Sequence, residues 1–499
     1  MSSPLSMNKP PIPSRPIRPS TRVRFPACCA RSTRTPSFSN PASSISFPFT
    51  PNVNGEAFTN VVDDGLKTPH SSQVVASVQR ELPGGWTVET DYVGRFGRRT
   101  LQNIDFGMPL NLIDPSSGMD YFTAADLLET QFYQGIPAAN IAKIPYWENL
   151  FPDAANLGVN CTEGVCQEGN TATQNIYNHF ATNPLNASYA IYSMDVLCNP
   201  GCGNGQPNRY YGSQFSTAQT LAPIGTTSYN SGQLIVRHPM AHGLQADFSY
   251  TYGKSIDLGS DAERAGGGAY IPSAFTGYST FSQIIDAFHP KKNRAVSDYD
   301  TRHVVTADWV YELPFGRGRK FLSNANAVAD AFLGGWQMTG LGRVTSGLPF
   351  APQVGAGWVT AWYYQSFLVK TGPVRMHRHV IPGQSGPNAF ADPLALQSCI
   401  EATSSCPIRY PLPGEAGTRN GFRGDGVFGI DSGLNKAWQL REGIGLKFGW
   451  EVFNVTNTPR FDVNPNTSLQ SVWGNGDFGV YSKQLPRQRI QQFSLRVDF

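Results

Sequence analysis

Six of the eight cysteines stand in close pairs, Cys161/Cys166, Cys198/Cys202 and Cys399/Cys406, and that spacing is open to three chemistries. C-x4-C and C-x3-C steps come near zinc-ligand spacing, although no histidine follows them at the distance a zinc finger uses. In a reducing compartment they would be plain thiols. On exposed loops of an exported protein, near neighbours favour local disulfides. Two runs, Gly424–Gly429 and Gly474–Gly479, match G-x-G-x-x-G. A dinucleotide site needs that run between a strand and a helix, whose amino terminus faces the pyrophosphate. Here both lead into loop or strand and read as turn glycines. Gly253-Lys254-Ser255 resembles the end of a phosphate loop, but Phe248 occupies the upstream glycine position. His238 and His242 lie across a proline-containing turn, and His377-Arg378-His379 sits among basic residues. Each is open to a metal site or to plain exposed histidines. Asp257, Asp261 and Glu263 could meet a cation or ligand, or form a solvated acidic face. No nucleophile elbow, Ser/His/Asp set or paired catalytic carboxylates emerge. The expectation is a protein that is not an enzyme and takes no cofactor.

The elements that would position these residues are strands. Nine segments carry strand patterning: Ser72–Leu82, Trp86–Gly94, Leu234–His238, Leu244–Asp257, His303–Leu313, Trp336–Thr345, Phe428–Leu440, Ile444–Val452 and Arg489–Phe499. In the fourth, Leu244, Ala246, Phe248, Tyr250 and Tyr252 alternate with Gln245, Asp247, Ser249 and Thr251, a period of two with one oily and one wet face. Val305, Ala307, Trp309 and Tyr311 repeat the scheme, as do Leu446, Phe448, Trp450 and Val452. In the last, Phe493, Leu495, Val497 and Phe499 oppose Ser494, Arg496 and Asp498. The connections alternate between short and long. The long ones are 95–233, 258–302, 346–427 and 453–488, while 314–335 is the least comfortable of the short set. A soluble sandwich has no reason to sort loops this way, whereas an outer-membrane barrel has short periplasmic turns and long extracellular loops. The expected fold is therefore all-β, an antiparallel outer-membrane β-barrel with long extracellular loops. Phe248, Tyr250, Tyr252, Trp309, Tyr311, Phe448 and Trp450 should face lipid. A closing strand that ends on Phe499 resembles the assembly signal of bacterial outer-membrane barrels, with Phe493, Leu495 and Val497 as its other members.

Composition agrees. Charged residues are 15% of the 499, against about 25% in an average soluble domain. Aromatics reach 12%, with 50 glycines and 38 prolines. No apolar run approaches the ~18 residues of a membrane helix, whereas a barrel crosses with alternating segments of about ten. The net charge of +3 gives no argument for a nucleic-acid partner. Residues 1–50 hold 10 Pro, 11 Ser, seven Lys/Arg and no acid. That composition cannot offset chain entropy by burial, so disorder is expected over 1–70. The segment lacks the apolar run of a secretory signal. A transit peptide and a truncated or misplaced start are the two readings.

Several runs resemble one family. Gln79–Trp86 followed by Asp91-Tyr92-Val93-Gly94 is similar to a hairpin of the Oar-like TonB-dependent outer-membrane transporters. So are His242–Gln245 with Tyr250–Ser255, Ser297–His303 leading to Tyr311–Gly318, and Trp336-Gln337 with Ser346–Phe350. Glu451–Asn457 and Pro486-Arg487-Gln488 complete the set, which spans about residues 75–499. The resemblance implies a barrel of about 22 strands, a plug carrying a TonB-contacting box, and a carboxypeptidase-regulatory-like β-sandwich. Neither plug, box nor sandwich is visible. Nine strands is also an odd number, where single-chain bacterial barrels have an even count. The expectation is a fragment, with residues 71–499 forming the carboxy-terminal part of a barrel, incompletely closed. The resemblance implies energy-coupled uptake of an unidentified extracellular ligand at the cell outer membrane. Implied partners are outer-membrane lipid, the barrel-assembly machinery, and the TonB complex only through a plug. A surface-adhesion barrel without transport and a soluble all-β binding protein are the alternatives.

Overall fold

Side chains on a strand alternate between faces, so a meander that keeps its register collects every apolar row on one side. The computed structural model describes residues 58–60, 63–108, 111–155, 169–182, 217–260, 284–358, 361–402, 406–463, 469–471, 476–485 and 488–499, all within one unit, Thr50–Phe499. Nine long strands follow in chain order: β1 His70–Leu82, β2 Trp86–Asp105, β3 Thr217–Ala241, β4 Leu244–Asp257, β5 His303–Glu312, β6 Trp336–Thr345, β7 Val427–Arg441, β8 Ile444–Phe453 and β9 Ile490–Asp498. Each pairs antiparallel with the next. Val236, Phe248, Ala307, Gly342 and Ile430 share one line of register. One residue along, Arg237, Asp247, Asp308, Leu341 and Asp431 share the next, on the opposite face. Tyr250, Trp309 and Trp450 fall on the apolar side and Asp247, Asp308 and Glu451 on the polar side.

Among the described residues nothing packs over the middle of the apolar face. Among the described residues the buried hydrophobic clusters lie in the connections and at the loop ends of β2 and β3. Phe493 is 68% exposed and Val497 52%, which overturns the soluble-sandwich alternative, where both would be buried between sheets. The sheet is open: among the described residues β1 and β9 have no partner on their outer edges.

Three features depart from expectation. β2 and β3 run 20 and 25 residues instead of ending near Gly94 and starting near Leu234. A crossing needs only about 9–11, so the excess projects beyond it. There Thr, Gly and Pro replace alternating apolar residues, and Arg99 in the left-handed region (φ 58°) marks a bulge. Within the segment expected to be disordered, Phe58–Asn60 instead forms a strand parallel to Thr217–Gln219; residues 1–57 lie outside the described residues. Finally, the connections carry helices: α1 Tyr121–Tyr133, α2 Pro145–Leu150 and α3 Ala172–Thr182 between β2 and β3, α4 Ala327–Leu333 between β5 and β6, and α5 Pro393–Ala402 between β6 and β7. α1 starts where the Asp120 carboxylate accepts the Thr123 N–H at 2.9 Å. It buries Tyr121, Ala124, Ala125 and Leu128 against Tyr146 and Trp147.

Trp309 lies across its register partner Gly340, and a Cβ added there would overlap the indole. An aromatic ring covering a strand glycine fixes the pairing. Gly340→Val should therefore lower stability by about 1–3 kcal/mol, read as the urea midpoint of the folded chain. Gly232→Val, where an added Cβ meets nothing within 4 Å, is the control. Equal midpoints for the two variants would remove the contact from the account.

Candidate ligand face and loop clamp

The polar face is charged across its width. Glu89, Asp91 and Arg95 on β2, Gln233 and Arg237 on β3, Asp247 on β4 and Asp308 on β5 all point to it. Gln73, Ser77, Glu89, Asp91, Arg95 and Tyr229 line a groove of about 750 Å³ there, together with Tyr299 of the β4–β5 connection. Arg237 Nη1 donates to Glu89 Oε2 at 2.6 Å, and its Nε lies 3.9 Å from Asp247 Oδ1. Exposed pairs of this kind add at most about 1 kcal/mol. Their consequence is a wall that keeps water and presents both signs of charge to a solute.

Above the groove the connections are locked together by buried charge. Arg419, in the β6–β7 connection, is 3% exposed; its Nη1 donates to Asp257 Oδ1 at 2.9 Å and its Nη2 to Asp298 Oδ1 at 3.2 Å. Burial alone would favour a neutral guanidine, but Asp298 and Asp257 outweigh it and hold the Arg419 pKa above its ordinary value. Asn420 Nδ2 donates to Asp298 Oδ1 at 2.5 Å and to Val296 O at 2.7 Å. Arg423 pairs with Asp300 and donates to Gly347 O at 3.0 Å. The Ser255 N–H donates to Asp300 Oδ1 at 2.6 Å, and Ser255 Oγ meets Ser297 Oγ at 2.7 Å. Two connections, β4–β5 and β6–β7, are thus joined at the loop end of β4. Losing one partner of such a set leaves a buried charge and costs about 3–5 kcal/mol.

A second junction ties the helical insert to the same β6–β7 connection. Arg409 grips Glu415 with two bonds, 2.6 and 2.9 Å, and Tyr133 stacks on Tyr410 with centroids 6.4 Å apart. Tyr133 Oη donates to Glu129 Oε1 at 3.2 Å. Burial, with Asp126 and Glu415 nearby, pushes Glu129 up to about 8. Burial, then the charges of Glu415 and Asp120, push Asp126 up to about 6. Glu415 goes the other way: its burial is outweighed by the Arg409 and Leu412 N–H donors. Cys399 and Cys406 form a disulfide beside this junction, Cα atoms 5.7 Å apart. Cys161, Cys166, Cys198 and Cys202 lie outside the described residues.

The structure redistributes the other sequence candidates. Gly253-Lys254-Ser255 lies in β4, and Ser255 anchors the β4–β5 connection. Gly424–Gly429 runs into β7, a strand where a dinucleotide site would need a helix. Of the second glycine run, Gly474 and Asn475 fall outside the described residues, as do Asp261 and Glu263, whereas Asp257 is taken by Arg419. His238 packs on Trp86 at 4.4 Å with its Nδ1 3.0 Å from Leu244 O, while His242 is exposed in the β3–β4 turn. His377 and His379 stack at 6.0 Å. Sequence reasoning missed Arg419, Asn420, Arg423, Asp298 and Asp300. The signal available was charge itself, rare in this chain and concentrated in two short loop runs.

Residues 8–492 match the outer membrane beta barrel domain family. The chain belongs to that family. It is accordingly an outer-membrane protein, and its open antiparallel sheet is part of a barrel. No curated protein is significantly similar in sequence. Among solved structures it is similar to the outer membrane transporter YddB from Escherichia coli, at 10% identity over 88% of this chain and 34% of that one, with a TM-score of 0.34. It is also similar to the ferric-catecholate import receptor Fiu from E. coli K12, at 7% identity over 89% and 30% of the two chains and a TM-score of 0.31. For FpvA from P. aeruginosa, bound to heterologous pyoverdines, the values are 9%, 87%, 28% and 0.32. The chain spans about a third of the length of these proteins.

The Glu129 junction should respond to pH. Both raised carboxyls prefer the proton in the folded state, so their docking is strongest below their unfolded pKa values of about 4. It weakens as pH rises through about 6 for Asp126 and about 8 for Glu129. Amide hydrogen exchange in α1, corrected for intrinsic rates, should show more frequent opening at pH 8.5 than at pH 5.5. Glu129→Gln should remove most of that difference, and a wild-type junction equally protected at both pH values would refute the account.

Proposed function

We propose that this chain is barrel wall of a TonB-dependent transporter of the Oar-like type, which takes up an unidentified ligand across the outer membrane. The observation that carries the reading is the sorting of the sheet into one apolar face, open over its middle, and one charged, grooved face, with the four longest connections at one end. Phe248, Tyr250, Tyr252, Trp309, Tyr311, Phe448 and Trp450 then meet lipid, and Glu89, Asp91 and Arg95 face the lumen. The long connections form the extracellular ligand surface. Runs that resemble the transporter family fall on its working parts. Ser297–His303 supplies Asp298 and Asp300 to the loop clamp, and Tyr250–Ser255 ends at its anchor. Coupling to TonB would act through a plug, which none of the described elements forms. In hydrocarbon the outer edges of β1 and β9 must be paired, so strands outside this sheet complete the wall. Phe493, Leu495, Val497 and Phe499 present the assembly signal on the apolar face, the last of them fully exposed.

Spent medium tests transport. We would compare the parent strain with one lacking this chain and one lacking TonB. The reading requires a compound that only the parent removes. A strain that loses surface attachment with unchanged uptake would support adhesion instead.

The faces are tested by two neighbouring substitutions. A lipid-facing Arg near the midplane costs about 2–4 kcal/mol, and a lumenal change much less. Phe248→Arg should lose most of the folded, heat-modifiable form in the outer membrane, whereas Ser249→Arg should keep it. Equal tolerance at both positions would count against the assignment of faces.

A further inference from the structure

The connection between β5 and β6 is at the short-turn end, yet it is long and it folds. Gly316, at φ 117°, lies so close to Gly334 that a side chain at either would clash with Asp330. Asp330 Oδ1 accepts the Arg317 N–H at 2.7 Å, and the Asn326 side chain caps α4 through the Ala329 N–H at 2.8 Å. The helix is then fastened to the apolar face. Trp336 Nε1 donates to Phe332 O at 2.8 Å, and Trp438 Nε1 donates to Ala331 O at 2.7 Å. Lys436, which the register places on that face between Trp336 and Phe448, turns its ammonium to the carbonyls of Gly334 and Asp330. Every one of these anchors holds backbone carbonyls, so the apolar side chains of α4 remain outward. Val328 is 68% exposed and Phe332 70%, with Leu333 beside them. Arg317, Arg319 and Lys320 are exposed on the preceding loop.

We propose that α4 and this loop form an interfacial anchor in the periplasmic leaflet, with Val328, Phe332 and Leu333 in the acyl boundary and the basic residues on the phosphates of anionic phospholipid. The inference rests on the apolar face of the sheet meeting lipid. Two observations select lipid as the occupant. The patch is continuous with that face through Trp336 and Trp438, and an apolar helix side next to exposed basic side chains is the pattern of membrane-surface helices. Tryptophan and lysine are likewise the residues that settle at a bilayer boundary.

The test is a nitroxide attached through an unnatural ketone residue at position 332 of the full chain, in vesicles of phosphatidylethanolamine and phosphatidylglycerol. The same label at 248 and at 249 marks the lipid face and the lumen, and heat-modifiable migration verifies that each labelled chain has folded. Collisions with oxygen and with a nickel chelate give the depth of each label. The 332 label should lie about 5–10 Å inside the headgroup boundary, and it should move outward when phosphatidylglycerol is withdrawn. A chain with Arg317→Gln, Arg319→Gln and Lys320→Gln should lose that lipid dependence. A 332 label in water while the 248 label is in lipid would overturn the anchor and leave the sheet assignment standing. A 332 label shielded from both reagents would mean a protein partner and would also overturn it. A 248 label in water would overturn the sheet assignment and the anchor together. Val328 offers a second labelling position on the same face, with the same expected depth.

Discussion

Hydrocarbon offers no partner to a peptide N–H or C=O, and each one left unpaired costs several kcal/mol. A chain that crosses with strands must therefore pair them strand to strand, and the register of that pairing decides everything built on it. Slipping any of these strands by one residue would exchange its faces. For β4 that would put Asp247, Ser249 and Thr251 where Phe248 and Tyr250 now stand. The aligned Arg237, Asp247 and Asp308 would follow from one face to the other if β3, β4 and β5 slipped together. Tight turns at Pro83–Gly85, His242-Gly243 and Glu442-Gly443 fix the register of three hairpins. The large connections therefore need not set it.

Released from that task, the connections hold the hydrophobic cores that a soluble protein would place under its sheet. Tyr121, Tyr146 and Trp147 pack within one insert, and Phe350, Phe390, Phe422 and Phe478 pack between two others. The β6–β7 connection is fixed at the loop end of β4 by charge. Arg419 is almost fully buried between Asp257 and Asp298, an arrangement that adds little net stability over a well-packed apolar one but punishes every misplacement. Directional bonds among buried groups select one loop arrangement, which apolar contact alone would leave loosely specified. A surface made of loops gains its fixed shape in this way.

The strands were legible wherever lipid and lumen demanded alternation. Leu244–Tyr252 and Phe493–Phe499 announce both faces, and the lengths of the connections announce the two ends. Legibility stopped where that demand stops. Beyond Gly94 and before Leu234 both strands continue above the crossing, so Thr100, Gln102 and Thr220 need no period of two. Helices α1 to α3 were hidden for a related reason. Their apolar residues serve a small local core and sit within a long loop without a sustained pattern. The clamp was the least visible part, since Asp257, Asp298 and Arg419 meet across more than a hundred residues of sequence. Pairing at that range leaves no local spacing to read.

The two ends of the sheet handle buried charge by opposite means. At the loop end, water is excluded by protein on all sides, so Arg419 has to be given carboxylate partners. At the turn end, Lys436 lies on the apolar face itself, where no carboxylate faces it across the register: its neighbours there are Trp336 and Phe448. Its stem runs along the indoles, with the ammonium 5.5 Å from the Trp336 ring and 5.2 Å from that of Trp438. The charge finishes on carbonyls at the carboxy-terminal end of α4, where the helix dipole is negative. A lysine placed this way satisfies the helix end and keeps its charge off the apolar face. It also makes the position of α4 depend on the register of β6 and β7. The same ladder that sorts the faces thereby sets where the chain's own helix can lie against them.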